Sequence, residues 1–410
     1  MTVYRFSPAH TVPHSDAINT NLKTLALSDG FRAQMLTGTA DRSMSVKRLC
    51  SSLVPAPDAH TTLLLLSAEH DLTQSPAQAL DACIEVPATS DSPTTQEGSP
   101  REPASEGVEE VIDFSYGIMV SVPLLEDGCA ATIELIADVE ELVLPGEEMD
   151  EPSRGRYYYA LELARLVAAR SDRALLTTWL EHPYDCSDNA QVNSAYTPLL
   201  EEAGFRPVLK TIQGYVPLPD QPPTPETFSS ISAAADKAGI NGAVRWEYFC
   251  DELPEALAHQ VSELYAVADR DAPRRDFEGE TERWDVSRFD AIARLARENG
   301  TRTHFGLLLG GSESAPIVLG ASVIAQATGS REDVAEQNVT VTARGFRGCG
   351  AGRVVKQQLL YTLRERAPMI TRVYTSTEAS NEAMLAINES LGFTPISRAT
   401  AYQRRYALTP

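Results

Sequence analysis

The chain has 410 residues, 43% hydrophobic and 22% charged, with 35 basic against 57 acidic side chains and a formal net charge of −22. That length predicts two or three domains. The acidity argues against a basic nucleic-acid surface; it mildly favours a cationic small substrate or else serves only to keep the chain in solution.

The six cysteines (Cys50, Cys83, Cys129, Cys186, Cys250 and Cys349) form no CxxC pair, so no metal site is expected, and their scatter fits reduced thiols. The opening "MTVYRFSPAHTVPHSDAINT" lacks a basic stretch followed by an apolar core. No apolar run nears the roughly 18 residues of a membrane span. The expectation is a soluble, cytoplasmic protein with no membrane partner and no nucleic-acid partner.

In chain order, "TTLLLL" (61–66) and "YGIMVSV" (116–122) are apolar runs on either side of "PATSDSPTTQEGSPREPASEGVEE" (87–110). That intervening segment has no aromatic residue and too little apolar surface to offset its ordering entropy, which predicts a mobile acidic loop inside a domain. "PLPDQPPTPETF" (217–228) places five prolines in nine positions and predicts a stiff linker. The expected boundaries are a first domain at 1–216, a linker at 217–240 and a second domain at 241–410.

Beyond the linker, helical periodicity runs through 253–268. "THFGLLLGG" (303–311) and "PIVLGASVIAQAT" (316–328) read as two strands joined at Gly310, Gly311 and Ser312. "EQNVTVTA" (336–343) alternates and reads as a third strand. "RGFRGCGAGRVVK" (344–356) follows, with four glycines, and passes into a helix carrying Val355, Leu359 and Leu363 on one face. A strand at 370–377, a short helix at 380–393 closed by Gly392 and a last strand through "AYQRRYAL" complete the order.

The two halves repeat. "NSAYTPLLEEAGFRP" (193–207) matches "NEAMLAINESLGFTP" (381–395), with Asn193 and Asn381 each twelve residues before Phe205 and Phe393. Upstream, "RGRYYYALELARLV" (154–167) lines up with "RGCGAGRVVKQQLL" (347–360), setting Tyr157 and Tyr159 against Gly350 and Gly352. A duplicated domain accounts for both matches. On this alignment the tyrosines put bulk at the first copy's counterpart of the glycine loop.

A strand, a glycine-rich turn and a helix make an anion site. The first-turn N–H groups have no partners within the helix, the macrodipole adds positive character, and backbone reaches a phosphate where no Cβ intervenes. A tight strand–helix turn would also use glycine, so the loop alone leaves both readings open. The stretch is neither GxGxxG nor a P-loop.

The wider arrangement resembles the GNAT superfamily of N-acetyltransferases over roughly residues 245–406. It looks most like the tandem-GNAT, mycothiol-synthase-like proteins of actinobacteria, with residues 1–216 as a degenerate copy. The family pattern [QR]-x-x-G-x-[GA] is met by Arg347, Gly350 and Gly352. The resemblance implies two tandem GNAT-like α/β domains, each a mixed central sheet flanked by helices. It implies acetyl-CoA as cosubstrate, no metal, and a small-molecule amine as acceptor.

By the same resemblance, Thr340, Val341 and Thr342 meet the pantetheine arm and thioester. Arg347, Gly348, Cys349, Gly350, Ala351, Gly352 and Arg353 hold the pyrophosphate, and Asn381 reaches the CoA arm. The family's acid is a tyrosine seven residues beyond that asparagine; here the position is Asn388, grouped with the cofactor residues. Glu336, eleven residues ahead of Arg347, is the candidate base, and Tyr402 is a substitute acid. The reading is an acetyl-CoA-dependent N-acetyltransferase with catalysis in the C-terminal domain. The alternative is an acyl-CoA-binding regulatory module without turnover. Monomer and homodimer stay open.

Overall fold

The computed structural model describes residues 2–9, 18–56, 59–69, 72–89, 111–125, 128–143, 146–184, 195–280, 283–327 and 331–407. Most of the expected mobile loop (90–110) and Asn193 lie outside them. The chain divides into two units. The first is Met1–His182, Cys186–Val208 and Ala401–Pro410; the second is Pro183–Asp185 and Leu209–Thr400.

The first unit begins with β1 (Val3–Phe6), α1 (Thr20–Thr37), α2 (Val46–Ser52), β2 (Ala59–Ser67), α3 (Pro76–Asp81) and β3 (Ile84–Val86). It continues through β4 (Phe114–Pro123), β5 (Ala130–Ala137), α4 (Glu151–Arg170), β6 (Leu175–Pro183), α5 (Tyr196–Glu202) and the start of β7 (Arg206–Pro217). The strands order as β3-β1-β2-β4-β5-β6. Neighbours are antiparallel except β1–β3 and β5–β6, which are parallel.

The leucine run of β2 shows why this sheet forms. Leu64 and Leu66 enter a core with α4, while Leu63 and Leu65 enter a second core with α1 and α2. A strand buried on both faces needs apolar residues at every position, and each such side chain stabilises by about 1.5–3 kcal/mol.

In the second unit, α6 (Pro225–Lys237), β8 (Arg245–Cys250), α7 (Glu255–Asp271) and α8 (Val286–Glu298) precede the hairpin of β9 (Arg302–Ser312) and β10 (Ala315–Gln326). Then come β11 (Val334–Thr342), a 3₁₀ turn at Arg344–Phe346, α9 (Ala351–Arg366), β12 (Arg372–Glu378), α10 (Glu382–Ser390) and β13 (Thr394–Arg405). The strand order is β7-β12-β11-β10-β9-β8. Strands β11 and β12 pair in parallel. One core lies under α7 and α8, with Leu257, Phe289 and Phe305. Two others lie under α9 and α6.

Two sequence expectations change, and two elements are added. Residues 225–237, expected inside the linker, are helix α6. Pro225 sits at its first position, where proline costs nothing, and Ile231 and Ala235 bury one turn apart beside Phe346 and Val354. The last residues, Ala401–Pro410, belong to the first unit, not the second. Strand β8 and helix α8 are additional to the elements that the sequence pattern predicts.

The repeat is visible in the connections, with a shift. The run β5-α4-β6-α5 matches β11-α9-β12-α10, and Gly204 and Gly392 take the same left-handed conformation (φ 81° and 82°) after the short helices. Helix α4, however, starts at Glu151 and α9 at Ala351. Tyr157 and Tyr159 therefore lie about two turns inside α4, in the core, rather than at the level of Gly350 and Gly352. The counterpart of Gly350 is Asp150.

Candidate functional site

Strand β11 leaves its partner early. Its pairing with β12 covers only Val334–Glu336 against Arg372–Tyr374, while its pairing with β10 continues to Thr342. A bulge interrupts that second ladder, with Val339 and Gln337 opposite Val323 and Ile324 and Asn338 as the extra residue. The Gln337 amide pins the bulge by donating to the Val323 and Val339 carbonyls, both at 2.7 Å. Glu336 stands at the fork where the two parallel strands part, half-buried. Ala335 faces the core under α9, so strand alternation turns Glu336 to the opposite side.

The far end of β11 feeds the glycine loop. Val341 is buried in the core beneath α7, so only its backbone is available to a ligand; Thr340 and Thr342 face the other way. Thr340 Oγ1 lies 3.2 Å from Ser322 Oγ. Arg347 is extended, and Gly348 (φ 76°) and Gly350 (φ 88°) are left-handed. An L side chain at either would cost about 1–2 kcal/mol.

A Cβ placed on Gly348 or Gly350 meets nothing within 4 Å, so the space in front of the loop is open. Gly352 is different: its Cβ would lie 3.2 Å from Ile387. The Cys349 thiol donates to the Phe346 carbonyl at 3.0 Å, tightening the turn.

Gly350 is the N-cap of α9, and no side chain caps it. The first-turn amides, at buried Ala351, Gly352 and exposed Arg353, are thus left to a ligand or solvent. Arg344 and Arg347 add charge beside them. Both bind Asp271 at the end of α7, Arg344 at 3.0 and 2.5 Å and Arg347 at 2.5 Å. These bonds hold the Asp271 carboxyl well below the usual carboxylate range. Two guanidinium groups against one carboxylate leave net positive charge at the loop, in a chain of net charge −22.

The other unit shows what a closed version looks like. Asp150 caps α4, its carboxylate accepting from Ser153 N at 2.8 Å, with Glu151 in the first turn and proline at position 152. Carboxylate charge already occupies that helix end, and Pro152 offers no N–H.

Helix α10 supplies the third part. Asn381 caps it, its Oδ1 accepting from Met384 N at 3.2 Å, so its side-chain NH₂ is the group that can face a ligand. Asn388, expected among the cofactor residues, is fully buried. It accepts from Lys356 Nζ at 2.6 Å and donates to Thr377 Oγ1 at 2.9 Å. It therefore binds α9 to α10 and β12 and presents nothing to the surface.

Lys356 is also fully buried, and burial lowers its pKa to about 7. The sequence did contain a signal for it. Lys356 precedes Leu359 and Leu360 on the inward stripe of α9, where a charged residue breaks the apolar pattern. Tyr402, offered as a substitute acid, lies in the first unit's core with Tyr157 and Phe205 and is not part of this group.

No family model matches the sequence, and no curated protein matches it. Solved structures do. A tandem GNAT protein from the clavulanic acid biosynthesis pathway, solved without acetyl-CoA, gives a TM-score of 0.61 over 100% of this chain and 98% of its own, at 15% identity. The fold is that of a tandem GNAT protein. A GCN5-related N-acetyltransferase from Sphaerobacter thermophilus gives 0.52 over 100% and 96% of the two chains, at 12% identity. The mixed sheets with flanking helices and the two-unit GNAT architecture expected from the sequence are thus present. Among the described residues no helix is long and apolar enough to cross a membrane.

Proposed function

We propose that the second unit is an acetyl-CoA-dependent N-acetyltransferase acting on a small amine, and that the first unit binds no CoA. The observation that carries this reading is the uncapped start of α9. Two left-handed glycines precede free first-turn amides, with open space in front of them and arginines beside them. Such a cradle suits a pyrophosphate. Its counterpart at α4, capped by Asp150, does not.

Bound there, acetyl-CoA supplies an activated acetyl thioester. The chain's own residues then have three tasks. The α9 amides and Arg347 hold the pyrophosphate. Backbone of β11 near Thr340 and Val341, beyond the fork, orients the thioester, with an N–H as the oxyanion donor. Glu336 takes the proton from the amine as its nitrogen bonds to the acetyl carbon and the carbon–sulfur bond breaks. Asn388 is sealed in the core against Lys356 and Thr377 and offers the sulfur no acid, so the sulfur leaves as thiolate; a thiol with an ordinary pKa near 8.5 can do so in water.

A second reading, an acyl-CoA-binding module without turnover, draws on Asn388 occupying the position of the family's acid. Glu336→Gln separates the two. With a panel of small amines and thiol release as the readout, the variant is expected to lose about a hundredfold or more in kcat while keeping its affinity for acetyl-CoA. A wild-type chain that binds acetyl-CoA but releases no thiol with any amine would favour the module.

A further inference from the structure

The first unit has its own fork. Strands β5 and β6 pair in parallel only over Ala130–Thr132 against Leu175–Thr177. Beyond that they part, and a cavity of about 80 Å³ opens between them. Glu134 and Leu135 line it from β5, Trp179 and Glu181 from β6, and Arg32 and Leu36 from α1. Three tyrosines, Tyr116, Tyr157 and Tyr196, form its inner wall. We propose that this cavity is a binding site for a small organic cation, a primary ammonium on a short aliphatic body.

The first argument is a poorly satisfied polar group. Tyr116 is 1% exposed, and its hydroxyl makes no well-formed hydrogen bond, with the Tyr196 hydroxyl beside it on the same wall. A buried hydroxyl left this way costs about 1–3 kcal/mol. It lines the cavity, so an occupant that bonds it removes the cost.

The second argument is charge. Arg32 is already engaged: its Nε and Nη2 donate to Asp29 Oδ1 at 3.0 and 2.7 Å, while Glu134 Oε1 is 3.8 Å from Nη2. Asp29 thus neutralises the guanidinium, and Glu134 and Glu181 outweigh Arg48, the other cation near Glu134, so the wall is net negative. The Glu134 side chain is 41% exposed and therefore reachable by an occupant of the cavity mouth. A cation there meets opposite charge; an anion meets like charge.

The third argument is the surface. Tyrosine and tryptophan faces beside carboxylates are the usual lining for an ammonium group. Trp179 is 40% exposed, more than an indole buried only for packing needs. Size then limits the occupant. The volume exceeds the 10–15 Å³ that one water requires and falls short of the ~150 Å³ that takes benzene. Four carbons and a nitrogen suit it.

The test uses the full chain and three isosteres, n-butylammonium, 1-butanol and butyrate, followed by ligand-observed NMR titration. The expected result is saturable binding of n-butylammonium with Kd near 1 mM or below, which is within the ceiling for so few atoms. Neither butanol nor butyrate should displace it. Glu134→Gln should weaken it about tenfold or more, with the far-UV spectrum and melting temperature showing that the variant folds. Tyr116→Phe should weaken it less.

Butanol binding as tightly would mean an apolar hole only. Preferred butyrate would mean that Arg32 sets the charge. No saturation at about 50 mM, or binding indifferent to Glu134→Gln, would also overturn the proposal. None of these outcomes depends on whether the second unit transfers acetyl groups.

Discussion

Gly350→Tyr is expected to abolish acetyl-CoA binding in calorimetric titration, where the wild-type chain takes up one molecule. Two effects combine. At φ 88° any L residue is strained by about 1–2 kcal/mol. More importantly, the new side chain enters the open space before the α9 amides and removes several charge-assisted hydrogen bonds, each worth about 1.5–3 kcal/mol. A loss of at least about three orders of magnitude follows, enough to leave no measurable heat.

Gly345→Ala is the control. A Cβ there also meets nothing within 4 Å, but Gly345 has no positive φ and lies before the cradle. It should bind as wild type does. Two sites in the wild-type chain would mean that the Asp150-capped helix also accepts the ligand. Unchanged binding in Gly350→Tyr would move the site elsewhere.

The second large effect is on stability and comes from Lys356. In the unfolded chain a lysine titrates near 10.4; buried beside Asn388 it titrates at about 7. The folded pKa is the lower one, so between these values the unfolded state holds more protons. Folding stability due to this group therefore rises as pH rises from about 7 towards 10.4 and is flat below about 7. At neutral pH the buried amine costs on the order of a few kcal/mol relative to high pH.

The double change Lys356→Met with Asn388→Leu removes both the amine and the oxygen it bonds, leaving no orphaned polar partner for the lysine. It is expected to be more stable than wild type at pH 7, with the gain shrinking steadily towards pH 10. Urea unfolding at several pH values checks this, since other titrating groups cancel in the difference. A difference independent of pH would mean that Lys356 is charged in the folded chain.

Much of the second unit was legible. The apolar and alternating runs gave its hairpin and β11, and the glycine loop, the helix after it and Gly392 fell where the spacing put them. The errors have physical causes. Helix α6 hides among prolines, because proline at a helix start looks the same in sequence as proline in a linker. A lysine on an apolar stripe usually reaches back to solvent, whereas Lys356 is buried and bonds Asn388 of α10.

The tyrosine alignment slipped by seven residues. Two helical turns are close to seven residues, so the slip left every side chain on nearly the same face and preserved the apolar pattern. Sequence periodicity cannot detect an error of that length; the position of the Asp150 cap can. The cavity between β5 and β6 had no sequence signal, because its walls come from strands and helices spread between Arg32 and Tyr196.

The assignment of Ala401–Pro410 to the first unit bears on how the chain acquires its structure. Tyr402 packs among residues of α4 and α5, and the Gln403 side chain donates to Thr177 Oγ1 at 3.0 Å. The first unit is therefore discontinuous, with nearly all of the second inserted between Val208 and Ala401. A growing chain can complete the second unit's Leu209–Thr400 stretch before the final residues of the first have been made. Closing the first unit brings together residues more than two hundred positions apart, the kind of late, high-contact-order step that slows folding. Deleting Ala401–Arg405 would accordingly damage the first unit, while the Leu209–Thr400 stretch made before it would already be folded.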